Sequence, residues 1–395
     1  LNDKALRMSI IKEELEEVKD KFGDDRKTDI EYSGGDVSIE DMIPDSEVVI
    51  TISHAGYVKR TPLTEYKKQN RGGVGAKAAS TRDQDFIEHV FVATNHQYML
   101  FFTEQGRCFW MRVFEIPEGT RQSKGRAIQN LINLPQDDKV LAFINVLNLK
   151  DEEYINNHYI VMCTKQGIIK KTSLEAYSRP RVNGINAITV REGDTLLEAK
   201  LTNGEQDIML AVKSGKAIRF PEIKVRSMGR NASGVRAITV NGENDEVVGM
   251  IIVEEGDGFD VMVVSEQGYG KRSALEDYRI TNRGGKGVKT ITVTEKTGEL
   301  VSLKAVTDED DLMIITKKGT MIRMGVDTLR VMGRATQGVR LITLRKGDEI
   351  ASIAKVPASE EEEEELMDAE GVANTDDSDA PATTTEGGEE TTSEE

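Results

Sequence analysis

The chain has 395 residues, with 52 Lys and Arg against 69 Asp and Glu, a formal net charge of −17. That length accommodates two or three domains of about 150 residues each, and 38% hydrophobic with 31% charged residues suits a soluble protein that has a sizeable core. No stretch approaches the roughly 20 apolar residues of a membrane helix, and two cysteines, Cys108 and Cys163, are too few for a disulfide scaffold or a Cys-rich metal site, so a reducing cytoplasm is expected.

Residues 1–22 predict a helix, because Leu6, Ile10, Ile11, Leu15, Val18 and Phe22 recur at spacings of three and four. Gly23 ends it, and residues 23–38 form a polar linker. The chain starts at Leu1 with no signal-like segment. A piece of a longer protein is therefore expected, with this helix closing a domain that lies outside it.

Residues 39–357 are a repeat. Four mostly apolar residues, usually Ser or Thr, two more residues and a glycine recur six times, ending at Gly56, Gly106, Gly167, Gly215, Gly268 and Gly319. The intervals are 50, 61, 48, 53 and 51 residues. A second glycine follows 19 residues later at Gly75, Gly125, Gly234, Gly287 and Gly338, and 17 later at Gly184. A period near 50 marks a propeller-like ring or a solenoid. Each apolar run predicts a buried strand and each polar pair with glycine a tight hairpin. A returning strand, a short strand after the second glycine (237–240, 290–293, 341–344) and a last strand such as 247–253 complete four strands per repeat. The expected fold is all-β, a ring of six four-stranded blades.

Cations hold the same phase. The fourth residue after the hairpin glycine is basic in five repeats, at Arg60, Lys171, Arg219, Arg272 and Arg323, with Trp110 the exception. The second residue after the second glycine is basic at Lys77, Arg236, Lys289 and Arg340, and Arg126 stands one position earlier in its repeat. Such charge can be ordinary protection of strand edges. Its constant phase favours a polyanion track instead, although strand alternation leaves open which face these residues occupy. Low aromatic content argues against base stacking, so phosphates of duplex DNA, gripped and bent by shape, are the expected ligand.

Residues 358–395 hold 16 acidic residues and no basic one, opening with Glu360 to Glu365. They cannot bury enough surface to order and are expected to be a disordered tail. It acts either as a solubility device or as a polyanion competing for the basic body. Catalytic signals are weak: His54, His89, His96 and His158 lack metal spacing, and Gly72-Gly73-Val74-Gly75 lacks the ending of a nucleotide loop. Cys108, Cys163 and Trp110 are expected to be packing residues.

Residues 69–75, QNRGGVG, resemble the gyrase A box QRRGGKG at five of seven positions, with Asn70 and Val74 replacing cations. Almost from end to end, through SHAGYVKRTPLTEYKKQNRGG, MGRNASGVRAITV and QGYGKRSALEDY, the chain resembles the C-terminal domain of the DNA gyrase A protein. The resemblance implies a six-bladed β-pinwheel whose blades exchange strands and whose rim wraps duplex DNA. It implies a fastening role for Gln69, Arg71, Gly72, Gly73 and Gly75, with Arg283, Lys286 and Gly287 of TNRGGKG adding to the grip. It further implies an A2B2 heterotetramer, formed with gyrase B and a second copy of gyrase A, nucleoid-associated in the cytoplasm. ATP and Mg would be bound elsewhere in that assembly, with no cofactor in this chain. None of the nine tyrosines follows an arginine, so this chain is expected to wrap DNA without cutting it. The corresponding domain of topoisomerase IV, which wraps weakly, and a protein-binding propeller are the alternatives.

Overall fold

The computed structural model describes residues 3–24, 40–63, 87–120, 123–242, 244–254, 256, 258–318 and 321–357. The box, Gln69 to Gly75, together with Lys77 and the acidic tail, lies outside the described residues. The chain falls into two units, Leu1–Pro44 and Asp45–Glu395. In the first, Lys4–Phe22 is a helix; the Asp3 side chain caps it by accepting from the Ala5 N–H at 2.9 Å, and Gly23 N–H closes it on Lys19 O. No helix among the described residues is long and apolar enough to cross a membrane.

The second unit is the expected ring of β-blades. In blade one, Glu47–Ser53 turns at Gly56 into Tyr57–Pro62, and Ile87–Thr94 pairs antiparallel on the other side of the first strand. The next four blades repeat this order, giving sheets whose own three strands run last, first, second. Last strands of neighbouring repeats touch one another, and Ile350–Pro357 of blade six touches Ile87–Thr94 of blade one, so the ring closes on its inner strands.

The fourth strand of a blade is not its own. Arg126–Ala127 from repeat two pairs with Tyr57–Pro62, and Ile185–Asn186, Val235–Arg236, Val288–Lys289 and Val339–Arg340 make the same step onto blades two to five. Blade six has three described strands. The expected strand at 237–240 is therefore displaced to 235–236 and handed to the preceding blade. The segments that suggested it lie over the previous hairpin instead, with Ala237, Ile238 and Ile342 buried: Ala237 N–H donates to Gly167 O at 2.8 Å, and Leu341 N–H to Gly268 O at 2.8 Å.

Close backbone approach explains the paired glycines. Gly287 has φ +71°, and a Cβ there would lie 2.5 Å from Ala217 O, on the strand that receives Val288–Lys289. Gly106 has φ +83°, and its Cβ would lie 2.6 Å from Ile188 O, in the segment that crosses the hairpin. Any side chain would strain the backbone and push the incoming strand away. The core lies in the seams between blades. Leu100, Phe102 and Cys108 of blade two, for example, pack on Ile160, Met162 and Leu174 of blade three. Cys108 and Cys163 are fully buried free thiols, and burial pushes both well above the ordinary thiol value.

Candidate nucleic-acid interface

The two series of cations occupy different places. Of the cations four residues after the hairpin glycine, Arg60, Lys171 and Arg219 reach across a seam to the next repeat. Arg60 donates Nε–H to Ile116 O at 2.8 Å and pairs with Glu118 at 3.1 Å. Buried Lys171 donates to Glu222 O at 3.3 Å, lies 3.7 Å from the Glu222 carboxylate and sits over the Tyr159 ring. Arg219 pairs with Asp207 at 2.9 Å and reaches Leu275 O at 3.4 Å. Arg272 pairs with Asp308 and, at 3.7 Å, with Asp260; Arg323 pairs with Asp311 at 2.6 Å. Burial pushes the Asp260 carboxyl up, against the pull of Arg272.

Trp110 reveals the rule of this position. Its indole N–H donates to Tyr177 O at 3.0 Å. Arg60, Trp110, Lys171 and Arg219 all send an N–H across the seam to a carbonyl in or beside a 3-10 turn of the next repeat. In these four repeats the position takes a long donor, and where the donor is a cation an acid of the ring pairs with it. All five cations at this position thus have acidic partners within the ring. The sequence carried the signal in Asp207, Asp260 and Asp311, each twelve residues before its arginine.

The cations after the second glycine are the outer ones. Arg236, Lys289 and Arg340 lie on the handed-over strands, at the end of each sheet opposite the inner strand, as does Arg126, and all four side chains are exposed. Arg340 rests against Tyr269 and donates to its hydroxyl at 2.9 Å.

Each handed-over strand is preceded by a loop that docks on the rim of the previous repeat. Thr239 N–H donates to Gly285 O at 2.9 Å and Thr292 N–H to Thr336 O at 3.2 Å. In the box-like loop 281–287, Arg283 anchors to Lys224 O at 2.9 Å and Arg236 O at 3.0 Å, whereas Lys286 is exposed. A pocket of about 190 Å³ behind this loop is lined by Arg219, Arg279, Lys286 and the backbone of Gly285 and Gly287. Arg334 makes the equivalent anchor, to Lys289 O at 2.8 Å. Counting four residues back from the second glycine finds Arg71, Arg121, Arg230, Arg283 and Arg334, a series the forward count missed.

Comparison with known proteins decides the family. The model of the DNA gyrase C-terminal domain, beta-propeller, matches residues 47–94, 97–155, 158–203, 206–254, 260–307 and 310–357, one blade per match. The chain belongs to that family. The DNA gyrase A protein of Staphylococcus aureus strain MRSA252 is 42% identical over 366 residues, covering 92% of this chain and 41% of the relative; that of strain NCTC 8325 is 42% identical over 364 residues, covering 92% and 40%. The chain thus spans about two fifths of the length of these relatives. Two solved structures share the gyrase C-terminal fold. The C-terminal domain of DNA topoisomerase IV aligns with a TM-score of 0.69 at 23% identity, over 84% of this chain and all of that one. The DNA gyrase A C-terminal domain aligns at 0.59 and 24% identity, over 78% and 99%. Among the described residues of this gyrase-type ring, no group of three or more His, Cys, Asp or Glu is placed to hold a metal ion.

Proposed function

We propose that the ring binds duplex DNA without strong sequence preference and wraps it around its outer edge. In this reading the chain is the C-terminal part of a gyrase A protein. It presents one DNA segment over another so that an A2B2 enzyme, with ATP and Mg bound elsewhere, introduces negative supercoils. The observation that carries the reading is the recurrence of exposed Arg126, Arg236, Lys289 and Arg340 on the outermost strands, each next to a loop with an arginine or lysine of its own.

Cations recurring along the outer strands of blades one, three, four and five meet a polyanion, and phosphate contacts position the duplex without reading it. Bending 40 base pairs through half a turn costs about 11 kcal/mol by smooth elasticity, so contacts on several blades must act together. Arg71 and its neighbours in the box, with Lys77, are proposed to add the grip of blade one. The 42% identity to gyrase A proteins favours gyrase over topoisomerase IV, whose likeness lies in the fold.

Duplex affinity measured across a salt series tests the binding step. With about ten phosphates neutralised, log K falls against log salt with a slope near −9. A slope shallower than about −3, or strong preference for one sequence, contradicts the proposal.

A further inference from the structure

The residue three after the hairpin glycine alternates around the ring. Lys59, Lys170 and Lys271 stand in blades one, three and five; Phe109, Ile218 and Ile322 stand in blades two, four and six. Two residues further on, Thr61, Thr172 and Ser273 alternate with Met111, Phe220 and Met324. The six-fold repeat is thus also three copies of a blade pair.

All three lysines are buried. Lys59 donates to Thr120 O and Ser123 O, both at 3.0 Å. Lys170 donates to Ala187 O and Arg230 O, and Lys271 to Gly333 O at 2.7 Å. Thr120, Ser123, Arg230 and Gly333 belong to the docking loops of blades two, four and six, those that precede Arg126–Ala127, Val235–Arg236 and Val339–Arg340. Under the loops of blades three and five the same position is carbon: the Phe109 ring lies beneath Gly184, and Ile218 lines the pocket behind Gly285.

A fully buried lysine is unusual, and carbon fills the site in the even blades. Desolvation lowers Lys170 to about 7, with Arg230 adding to the effect. Desolvation also lowers Lys271, to about 8, where Arg334 adds and Asp277 opposes. Packing alone would be served better by an aliphatic side chain. What lysine adds is a tie from the blade to the loop: Thr120 O and Gly333 O already accept from Ser123 and Thr336 inside their own turns, and Lys59 and Lys271 bind those turns to the strand beneath.

We propose that Lys59, Lys170 and Lys271 are positioning residues that fix the rim loops of blades two, four and six, so that the ring meets DNA with preset contacts at every second blade and adaptable ones between. This rests on the DNA-wrapping reading.

The test compares Lys170→Met, Lys271→Met and the control Ile218→Met in the full chain. Hydrogen exchange is expected to quicken by about ten-fold at 226–234 in Lys170→Met and at 330–338 in Lys271→Met. The strand Asp207–Val212 should stay unchanged, and Ile218→Met should leave 279–287 as in the parent. On DNA, the topoisomer shift on ligated nicked circles is expected to fall at least about two-fold in the lysine variants. Attachment to a short linear duplex should change by less than about two-fold, because the rim cations remain. Unchanged loop exchange, or equal change in wrapping and attachment, overturns the proposal. Lys271→Met removes one hydrogen bond where Lys170→Met removes two, and it serves if the latter fails to fold. A parent that attaches to DNA but never shifts topology refutes the wrapping reading instead, and loop exchange still reports on the lysines.

Discussion

Replacing Lys171 with Met separates a seam role from a phosphate role. The Glu222 carboxylate is fully buried, accepts from Thr202 Oγ1 at 2.8 Å and Gln206 N–H at 3.0 Å, and has Lys171 at 3.7 Å as its cation. Removing Lys171 takes away a charged hydrogen bond to Glu222 O, worth about 1.5–3 kcal/mol, and leaves a buried carboxylate without its cation. Breaking such a pair costs about 3–5 kcal/mol, so a loss of about 3 kcal/mol or more is expected. Adding Glu222→Gln removes the stranded charge and should restore at least about 1 kcal/mol, giving a measurable coupling in a double-mutant cycle. Urea midpoints for the four proteins measure this, and salt-dependent DNA binding is followed at a temperature where all are folded. The seam account predicts a large stability change and an unchanged salt slope. A midpoint within about 0.5 kcal/mol of the parent, with a slope shallower by about 0.9, would refute it and return Lys171 to the DNA track.

Other outcomes follow from the same geometry. Arg236→Ala and Lys289→Ala are expected to reduce the salt slope by about 0.9 each, with stability within about 0.5 kcal/mol of the parent, as titrated duplex binding and urea melts would show. Gly287→Ala should destabilise the ring by more than about 2 kcal/mol, because left-handed backbone and a Cβ at 2.5 Å from Ala217 O combine; a melt close to the parent's contradicts the close-approach argument. Lys170, lowered to about 7 in the folded chain, regains its ordinary value near 10.4 when unfolded. The unfolded chain then holds more protons between those values, so parental stability should rise with pH from 7 to 10 relative to Lys170→Met and level off beyond. A pH-independent difference between the two would show that Lys170 titrates normally.

The ring was legible in the sequence because its constraints act on backbone. Gly106, Gly167, Gly215 and Gly268, and their partners Gly125, Gly184, Gly234, Gly287 and Gly338, sit where a Cβ would strike a neighbouring carbonyl, so they stand out against divergent side chains. Strand ownership was less legible. Ala237 and Ile238 are as buried as any strand residue, and an apolar run gives burial without saying what hydrogen-bonds to it. The cations were the hardest to assign. A basic residue in fixed phase looks alike whether it faces a phosphate or a carbonyl across a seam, and Trp110, an exception by charge, is the residue that shows what the position needs. The acids twelve residues earlier and the arginines four before the second glycine supply the missing distinction. The box itself, Gln69 to Gly75, lies outside the described residues, and its proposed role rests on the resemblance.

Topology tests the central claim most directly. Nicked circular DNA is ligated in the presence of increasing amounts of this protein, deproteinised, and resolved by linking number. The account predicts a progressive shift of one sign, diminished when Arg236, Lys289 and Arg340 are replaced together by Ala. It predicts retention of the shift per bound protein when Ile218 is replaced by Met. A linking-number distribution that stays centred on that of free DNA while the protein is bound would contradict it.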